Sequence, residues 1–342
     1  MAQDETDAIK ILEKEIRVLK KKLSICMGQR DEMQTVMEQS RKLLENVLEE
    51  ETLNQRNMFR KFVPKELLQT LEKKNILDIQ LGDHVEREMT ILFSDIRSFT
   101  TLSESMSSQE SFNFINAFLK RVEPPINRHN GFIDKFIGDA IMALFYTPDE
   151  AIDAGINMQK ALRIYNDSRV KKSFSPIKIG IGLHTGSTIM GIIGVETRLQ
   201  GTVIADAVNI AQRMENMTKY YHSALLITSY TLSKIQKLEK YRYRHLGRAH
   251  AAGKKELIDI YEILDAEDEN TAELKFKSKK NVEDGLKLFF ERNFAEASVE
   301  FTKALKLYPK DNAADVYLKL SAEYMIHPVP EDWDGSIVHV KG

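Results

Sequence analysis

The sequence is poor in the features that build disulfide-bonded, zinc-binding and membrane-spanning proteins. It has one cysteine, Cys26, which cannot form a disulfide within the chain. Its eight histidines include no HExxH pair and no His/Cys spacing of the zinc type. The longest apolar run, 140–146, falls far short of the roughly 18 residues that a membrane span requires, and the N-terminus, MAQDETD, is acidic rather than signal-like. We therefore expect a cytoplasmic protein without a disulfide, structural zinc or a membrane span.

An excess of charge of one sign is also missing. Lys and Arg number 49 and Asp and Glu number 51, for a net charge of −2, so we expect no nucleic-acid partner. The basic stretch 242–248 is expected to be an ordinary solvated face. The composition, with 42% hydrophobic residues, 16 Gly and 8 Pro, excludes collagen-like and disordered classes. At roughly 100 to 200 residues per domain, 342 residues predict two domains, or one domain with helical additions.

The N-terminal segment, 1–62, has an apolar repeat with alternating steps of three and four residues. Ten of the twelve repeat positions are apolar, and these are Ile9, Leu12, Ile16, Leu19, Leu23, Cys26, Met33, Met37, Leu44 and Val47. A period of 3.5 residues predicts a coiled coil that pairs two chains, and the alternative is a single long helix. After Leu44 the frame slips by four residues to Leu48, a stutter that locally unwinds a supercoil.

Residues 63–265 alternate short apolar strands with amphipathic helices. The predicted elements are a strand at 89–96, a helix at 109–128, a hairpin over 131–146, a helix at 149–169, a strand at 177–184, a helix at 207–218 and strands at 224–229 and 257–264. The glycine-rich stretch 186–194 is assigned to no element. The order strand, helix, hairpin, helix, strand is that of a split βαβ unit. We therefore expect an α+β, ferredoxin-like domain rather than a doubly wound sheet.

The chain beyond residue 265 is predicted to form a small all-α tail. The polar stretch 266–281 lacks apolar periodicity and is the best linker. In 282–325 the spacing of small and aromatic residues resembles a tetratricopeptide repeat, and one unit of about 34 residues fits. Because one repeat cannot bury its own face, we expect these helices to dock on another surface, such as a protein partner, with 326–342 as a C-terminal tail.

Two aspartates in the middle of the chain, Asp95 and Asp139, each lie at the end of a stretch of mainly apolar residues. Asp95 lies in the motif FSDIRSFT, and Asp139 follows Gly138 at the hairpin turn of DKFIGDA. A carboxylate at the end of a buried strand requires a cation or hydrogen-bond donors, whereas Asp139 alone could serve only the geometry of its turn. If the two strands are neighbours, both carboxylates face one point, which is how proteins hold two Mg²⁺ ions against substrate phosphates.

A second polar pair lies on the helix predicted at 207–218. Asn209 and Arg213 are four residues apart and project from the same helical face. An amide and a guanidinium fork suit phosphate oxygens, and the alternative is an ordinary solvated face. The apolar residues between the two supply the buried side of the helix, which favours the phosphate-binding role.

These motifs together resemble the catalytic domain of class III adenylate and guanylate cyclases, from about residue 62 to about residue 264. The resemblance rests on FSDIRSFT, DKFIGDAIMA and the run from Thr202 through Asn209 to Arg213. It implies a homodimer with two composite sites at the subunit interface, which converts ATP into 3′,5′-cyclic AMP and pyrophosphate. Each site takes its metal-binding carboxylates from one chain and its remaining residues from the other.

The resemblance also implies a role for each matching residue. The residues fall into three groups, which are the metal ligands Asp95, Asp139 and the carbonyl of Ile96, the base-binding Lys135 and Thr202, and the transition-state residues Asn209 and Arg213. The cofactors would be two divalent ions, Mg²⁺ or Mn²⁺. Adenine is the expected base, because guanylate cyclases of this family have Glu and Cys in place of Lys135 and Thr202.

Three positions depart from the family's pattern. Gly201 stands where an aromatic residue is common, Ala205 where Gly is common, and Ala252 where the family usually has a Lys that binds the triphosphate. Lys254 is the predicted substitute for that lysine, with Lys255 and Arg248 as alternatives, unless this basic cluster is only a solvated face. Without a substitute, the alternative function is a catalytically weak regulatory or scaffold protein derived from a cyclase. Guanylate cyclase is a further alternative, which Lys135 disfavours.

Overall fold

The computed structural model describes residues 17–23, 27, 33, 37–47, 53, 65–73, 75–195, 197–250 and 257–336. The chain divides into two compact units, 1–63 and 64–342. In the first unit the described residues are helical and exposed, and Arg41 pairs with Glu45 one turn later at 3.1 Å. Much of the coiled coil predicted for 1–62 lies outside the described residues, so the pairing of two chains stays a prediction.

The second unit is built on one mixed sheet, which has eight strands among the described residues. The strands, in chain order, are β1 (His84–Ile96), β2 (Phe132–Ile137), β3 (Ala140–Phe145), β4 (Ile179–Val195), β5 (Arg198–Ile204), β6 (Leu225–Thr228), β7 (Tyr243–His250) and β8 (Leu257–Ile263). Their order across the sheet is β2-β3-β1-β4-β6-β8-β7, and β5 pairs with β4. Paired strands run antiparallel except β4 and β6, which are parallel. The predicted α+β class is confirmed.

The helices of this unit begin where the sequence supplies good caps. In chain order they are α1 (Lys65–Thr70), α2 (Phe99–Glu104), α3 (Ser108–Arg128), α4 (Pro148–Val170), α5 (Asp206–Tyr221), α6 (Ser229–Ser233), α7 (Glu269–Phe290), α8 (Phe294–Leu307) and α9 (Asn312–Ile326). Ser107 and Glu110 form a capping box at the start of α3, and Thr147 caps α4 ahead of Pro148. None of the helices in the described ranges combines the length and the hydrophobicity that a membrane span needs.

Both faces of the sheet are covered, so its strands alternate between two cores. On one face α3 and α4 pack over a core that includes Leu92 and Leu225. On the other face α5 and the C-terminal helices α7, α8 and α9 pack over a core that includes Leu226 and Ile260. The neighbours Leu225 and Leu226 belong to different cores because successive side chains of a strand point to opposite faces.

A buried ion network attaches the C-terminal helices to the sheet. Arg244 of β7 donates to Glu262 of β8 at 2.7 Å and to Asp311, which precedes α9, at 2.5 Å. Lys275 of α7 donates to Glu262 and to Glu267, both at 2.6 Å. The side chains of the first four residues are at least nine-tenths buried. We call these five residues the junction network.

The stretch predicted as a linker, 266–281, is mostly helix. Its residues from 269 onward form the first half of α7. The stretch lacks apolar periodicity because polar residues occupy buried positions of the helix. Lys275 belongs to the junction network, and Ser278 donates to Asp311 of that network. The surface on which the C-terminal helices dock is supplied by the same chain, and Trp333 of the tail packs on Phe289 with ring centroids 5.4 Å apart.

Candidate active site

The fold brings Asp95 and Asp139 together. Asp95 is the penultimate residue of β1, and Asp139 immediately precedes β3, which pairs with β1. Gly138 supplies the positive φ of 64° in the turn between β2 and β3. The pairing of β1 with β3 brings the two carboxyls close enough for Asp95 to raise the pKa of Asp139. We call these two residues the acidic pair, and their role as metal ligands stays a prediction.

The environment of Asp139 disfavours its ionised form. Burial, and then the neighbouring carboxyl of Asp95, raise the pKa of Asp139 to about 6, against backbone N–H groups of Asp139 and Ile96 that lower it. Its Oδ2 atom is buried and has no hydrogen-bond partner among the described residues. A buried oxygen without a partner is costly, so within the described part of the chain nothing compensates the charge of this oxygen.

A lysine that the sequence motifs did not identify supplies a counter-charge to Asp95. Lys219 Nζ, on α5, lies 2.9 Å from Asp95 Oδ2 and 3.6 Å from Glu215 Oε2. Burial raises the pKa of Glu215 to about 7, although Lys219 opposes that effect. The spacing of Glu215 and Lys219, four residues apart on one helix, is a signal for their mutual pairing. Their proximity to Asp95 depends on how α5 packs beside β1, which no local spacing encodes.

The acidic pair fits divalent metal ions. Mg²⁺ is usually held by one or two carboxylates together with water and substrate phosphates, and Mn²⁺ has a similar preference for oxygen. Asp95 and Asp139 offer two carboxylates, one of them with an unsatisfied buried oxygen. The described residues contain no group of three or more His, Cys, Asp or Glu side chains placed to hold a metal. The carbonyl of Ile96 stays a predicted third ligand.

Lys135 and Thr202, predicted to bind the base, are in direct contact. Lys135 Nζ donates to Thr202 Oγ1 at 2.6 Å. Asp134, which the sequence motifs did not identify, lies 3.1 Å from Lys135 Nζ and accepts from Thr202 Oγ1 at 3.3 Å. Burial raises the pKa of Asp134, although Lys135 and Thr202 oppose that effect. These three residues join β2 to β5, and we call them the base-binding group.

The contact of Asp134 with Thr202 could not be predicted from the regular alternation of a strand. Neighbouring residues of a regular strand point to opposite faces, so Asp134 and Lys135 are not expected to share a partner. The register of β2 against β3 shifts between Ile133 and Lys135, which marks an irregularity of the bulge type at Asp134. A bulge re-aims side chains locally, and both residues here contact Thr202.

Asn209 and Arg213 lie on α5, as predicted, and remain available to a ligand. Asn209 is exposed and Arg213 is half-buried. In the part of the chain that the structure describes, neither side chain has a hydrogen-bond or ion-pair partner. Neither contacts the acidic pair or the base-binding group within one chain.

Two of the departures from the family's pattern have a physical explanation. A Cβ atom at Gly201 would overlap the end of the side chain of Leu67, a buried residue of α1, so a larger residue there would require Leu67 to move. Ala205, the residue before α5, has a φ of −168°. That extended backbone is open to any residue, so the position does not require Gly. The third departure, Ala252, and its predicted substitute Lys254 lie outside the described residues.

A family model of the adenylate and guanylate cyclase catalytic domain matches residues 83–264. The chain is 36% identical over 266 residues to the "Adenylate cyclase, terminal-differentiation specific" of Dictyostelium discoideum, covering 76% of this chain and 12% of that protein. It is 41% identical over 212 residues to the "Adenylate cyclase" of Anabaena cylindrica, covering 60% of this chain and 42% of that protein. The chain therefore spans less than half the length of these relatives.

A solved structure supports the same fold. The structure of a bacterial light-regulated adenylyl cyclase matches with a TM-score of 0.57 at 24% identity, over 69% of each chain. This likeness concerns the fold alone, whereas the family model covers more than half of the 342 residues. The chain thus belongs to the family of adenylate and guanylate cyclase catalytic domains.

Proposed function

We propose that the chain is a class III adenylate cyclase, which converts ATP into 3′,5′-cyclic AMP and pyrophosphate. The proposal rests above all on the acidic pair, where two carboxylates meet and a buried oxygen of Asp139 has no partner among the described residues. A pair with only a structural role has no need of such an unsatisfied oxygen. The relatives named adenylate cyclase, at 36% and 41% identity, support the same activity.

Asp95 and Asp139, with the carbonyl of Ile96, are the proposed ligands of two divalent ions, Mg²⁺ or Mn²⁺. When bound, such ions supply Lewis-acid chemistry, which lowers the pKa of the ribose 3′-hydroxyl and neutralises charge on the phosphates. The chain itself holds the two carboxylates at one point, because β1 and β3 are paired directly. Lys219 contacts Asp95 from α5 and so orients its carboxylate.

The base-binding group is proposed to select adenine. The Watson–Crick edge of adenine presents the N1 acceptor and the 6-amino donor. The Lys135 ammonium can donate to N1, and the Thr202 hydroxyl can accept from the amino group. Guanine presents an N1–H donor and a 2-amino donor instead, and an ammonium has no acceptor for either. Asp134 is a positioning residue, because it contacts both of the other side chains from a buried location.

Asn209 and Arg213 are proposed to stabilise the transition state. The ribose 3′-oxygen forms a bond to the α-phosphorus, the bond to the bridging oxygen of the leaving pyrophosphate breaks, and the hydroxyl proton passes to water. Negative charge grows on the phosphate oxygens as these bonds change. An amide and a guanidinium that meet this charge raise the rate because they act most strongly in the transition state. The reaction requires no protein nucleophile.

A homodimer is the proposed assembly. Large apolar side chains near the base-binding group are between 43% and 57% exposed, and these are Phe136, Ile137, Ile189, Ile193, Leu199 and Ile204. A cluster of exposed apolar side chains favours an interaction surface. Because Phe136 directly follows Lys135, a second copy seated there would lie next to the base-binding group. The coiled coil predicted for 1–62 would add a further contact between the two chains.

Incubation of the purified chain with ATP or GTP, in Mg²⁺ and in Mn²⁺, tests the proposal. The cyclic nucleotide and pyrophosphate are both measured, and we expect cyclic AMP from ATP with little product from GTP. Asp139→Asn removes the carboxylate charge that would bind the metal ions, so it should abolish turnover. The change preserves size and turn geometry, so the chain should stay folded. Asp167→Asn, at an exposed position of α4, is the matched control.

Two outcomes would overturn parts of this assignment. A rate near that of the wild type in Asp139→Asn would show that the acidic pair does not bind the catalytic metals. A folded wild-type chain that forms no cyclic product from either nucleotide would favour the regulatory or scaffold alternative.

A further inference from the structure

A cleft of about 670 Å³ lies between the catalytic sheet and the C-terminal helices. Its lining comes from the segment after β1, the start of β4, α4, α7 and the connection between α8 and α9. None of the candidate catalytic residues that the structure describes lines it. Its volume falls in the range of about 300 to 1,000 Å³ that is typical of small-molecule sites. We call it the junction cleft.

The junction cleft has more positive than negative charge. Five of its lining side chains are Lys or Arg and two are carboxylates. Both carboxylates already have partners: Glu267 accepts from Lys275 at 2.6 Å, and Asp268 caps α7 by accepting from the Thr271 N–H at 3.0 Å. The four remaining cations have no carboxylate within 4.0 Å among the described residues.

Two of these four cations are guanidinium groups that donate only to carbonyl oxygens. Arg97 donates to the Thr218 and Ser223 carbonyls at 2.8 and 2.7 Å, and Arg163 donates to the Ala266 carbonyl at 3.1 Å. Carbonyl oxygens satisfy hydrogen bonds of a guanidinium without a direct ion pair, so each of these charges can still pair with an anion.

Two lysines and a buried hydroxyl complete the polar lining. Lys178 directly precedes β4, and Lys310 lies between α8 and α9. Within the described ranges, neither lysine side chain has a hydrogen-bond or ion-pair partner, although the Lys178 carbonyl accepts from the Arg97 N–H at 2.9 Å. Ser223 is 1% exposed, and its Oγ atom has no partner among the same residues. A buried hydroxyl without a partner is costly.

We propose that the junction cleft binds a phosphate-bearing small molecule of about mononucleotide size. Several cations suit a phosphate better than a single carboxylate, because a phosphate has up to about two negative charges and three acceptor oxygens. Leu162 and Tyr308 line the same cleft and offer an apolar surface to the rest of the ligand. Because Lys178 belongs to the sheet and Lys310 to the C-terminal helices, the ligand would bridge these two parts. This site is separate from the proposed adenylate cyclase activity and does not depend on it.

Calorimetric titration of the full chain with inorganic pyrophosphate and, separately, with AMP tests the proposal. A chelator is present throughout, so that binding does not depend on metal ions at the acidic pair. We expect one site per chain. Lys178→Glu with Lys310→Glu should raise the dissociation constant at least about tenfold, because each change removes a charge-assisted contact. The milder pair Lys178→Gln with Lys310→Gln should weaken binding in the same direction.

Two controls separate this site from the active site and from general charge effects. Lys172→Glu with Lys306→Glu makes the same charge change at exposed positions outside the cleft, and binding should stay within about twofold. Arg213→Ala removes a cation of the proposed active site and should leave the titration unchanged. AMP should bind more tightly than pyrophosphate, because only AMP has a non-phosphate part that can contact the apolar lining of the cleft.

Three results would overturn the proposal. The first is that neither probe binds the folded wild-type chain at millimolar concentration. The second is that binding is lost in Arg213→Ala but unaffected by the Lys178 and Lys310 changes, which would place both probes in the active site. The third is an equal loss in the cleft variants and in the Lys172 and Lys306 control, which would indicate attraction by overall charge alone. Circular dichroism of each variant confirms that the chain is folded.

Discussion

Replacement of Glu262 by Gln tests whether the junction network holds the C-terminal helices on the sheet. Glu262 is fully buried and accepts from Arg244 and Lys275 at 2.7 and 2.6 Å. Burial alone would raise the pKa of this carboxyl, but the two cations outweigh burial and lower it from an ordinary 4.5 to about 2. A lowering of that size corresponds to about 3 kcal/mol of folding free energy at pH 7.

We expect Glu262→Gln to reduce the free energy of unfolding at pH 7 by about 3 to 5 kcal/mol, the usual cost of removing one partner from a buried ion pair. The pKa of Glu262 is lower in the folded chain than in the unfolded chain. Its contribution is therefore complete above about pH 4.5 and is lost as the pH falls towards 2. The variant should lose less stability than the wild type over that interval, because it has no carboxyl to protonate there.

Urea unfolding followed by the fluorescence of Trp333, the only tryptophan, provides the assay. The Trp333 ring lies 5.4 Å from that of Phe289 in α7, so its emission reports on the C-terminal helices. Glu273→Gln is the matched control, because Glu273 lies on the same helix in an exposed pair with Lys277 at 3.7 Å and such pairs contribute about 0 to 1 kcal/mol. A loss below about 1 kcal/mol in Glu262→Gln, or an equal loss in both variants, would refute this reasoning.

Further predictions concern the proposed active site. An equal mixture of Asp95→Ala and Asn209→Ala chains should recover about a quarter of wild-type activity, since half of the dimers have one intact composite site; no recovery despite demonstrated heterodimers would exclude a shared site. Lys135→Glu with Thr202→Cys should shift the ratio of kcat/KM from ATP towards GTP, and an active double variant that still prefers ATP would count against both assignments. Ala252→Lys should lower the KM for ATP or raise kcat by about tenfold to a hundredfold, the effect of one charge-assisted contact. Unchanged steady-state constants would mean that residue 252 does not face the triphosphate.

The elements around the acidic pair could be predicted because their patterns are local. The strand at 89–96 and the helix at 109–128 match parts of β1 and α3, each of which has a continuous buried face. The hairpin over 131–146 corresponds to β2 and β3, and the Gly-Asp dipeptide marks its turn. The proximity of the two carboxylates was predicted only on the condition that their strands are neighbours, and the pairing of β1 with β3 meets that condition.

The second half of β4 could not be predicted, because glycines interrupt its apolar pattern. The strand extends through 186–194, which was assigned to no element. At Gly191 a Cβ atom would lie 2.6 Å from the Asp83 carbonyl oxygen, so glycine is required there by a backbone far away in the sequence. Gly191 lowers the local propensity for a strand, but only a residue without a side chain fits beside the backbone of Asp83 in the folded chain.

The burial of Arg244 was also hidden in the sequence. The basic stretch 242–248 was expected to be solvated, yet Arg244 is 1% exposed. Its carboxylate partners, Glu262 and Asp311, are 18 and 67 residues away in the chain. Lys219 and Asp134 went unnoticed for a similar reason, because their partners in space come from other elements. Motifs identified the residues that match the family's pattern, whereas these ion pairs became evident only from the fold.

The overlap that a side chain at Gly201 would make with Leu67 has a consequence for exchanging segments between related chains. The side chains at positions 67 and 201 compete for one small volume, so a larger residue at one position requires a smaller residue at the other. A relative with an aromatic residue at the position of Gly201 cannot accept the α1 segment of this chain as it stands, because Leu67 would occupy the space of the ring. A chimera therefore has to transfer α1 and β5 as a matched set, even though more than a hundred residues separate them in the sequence.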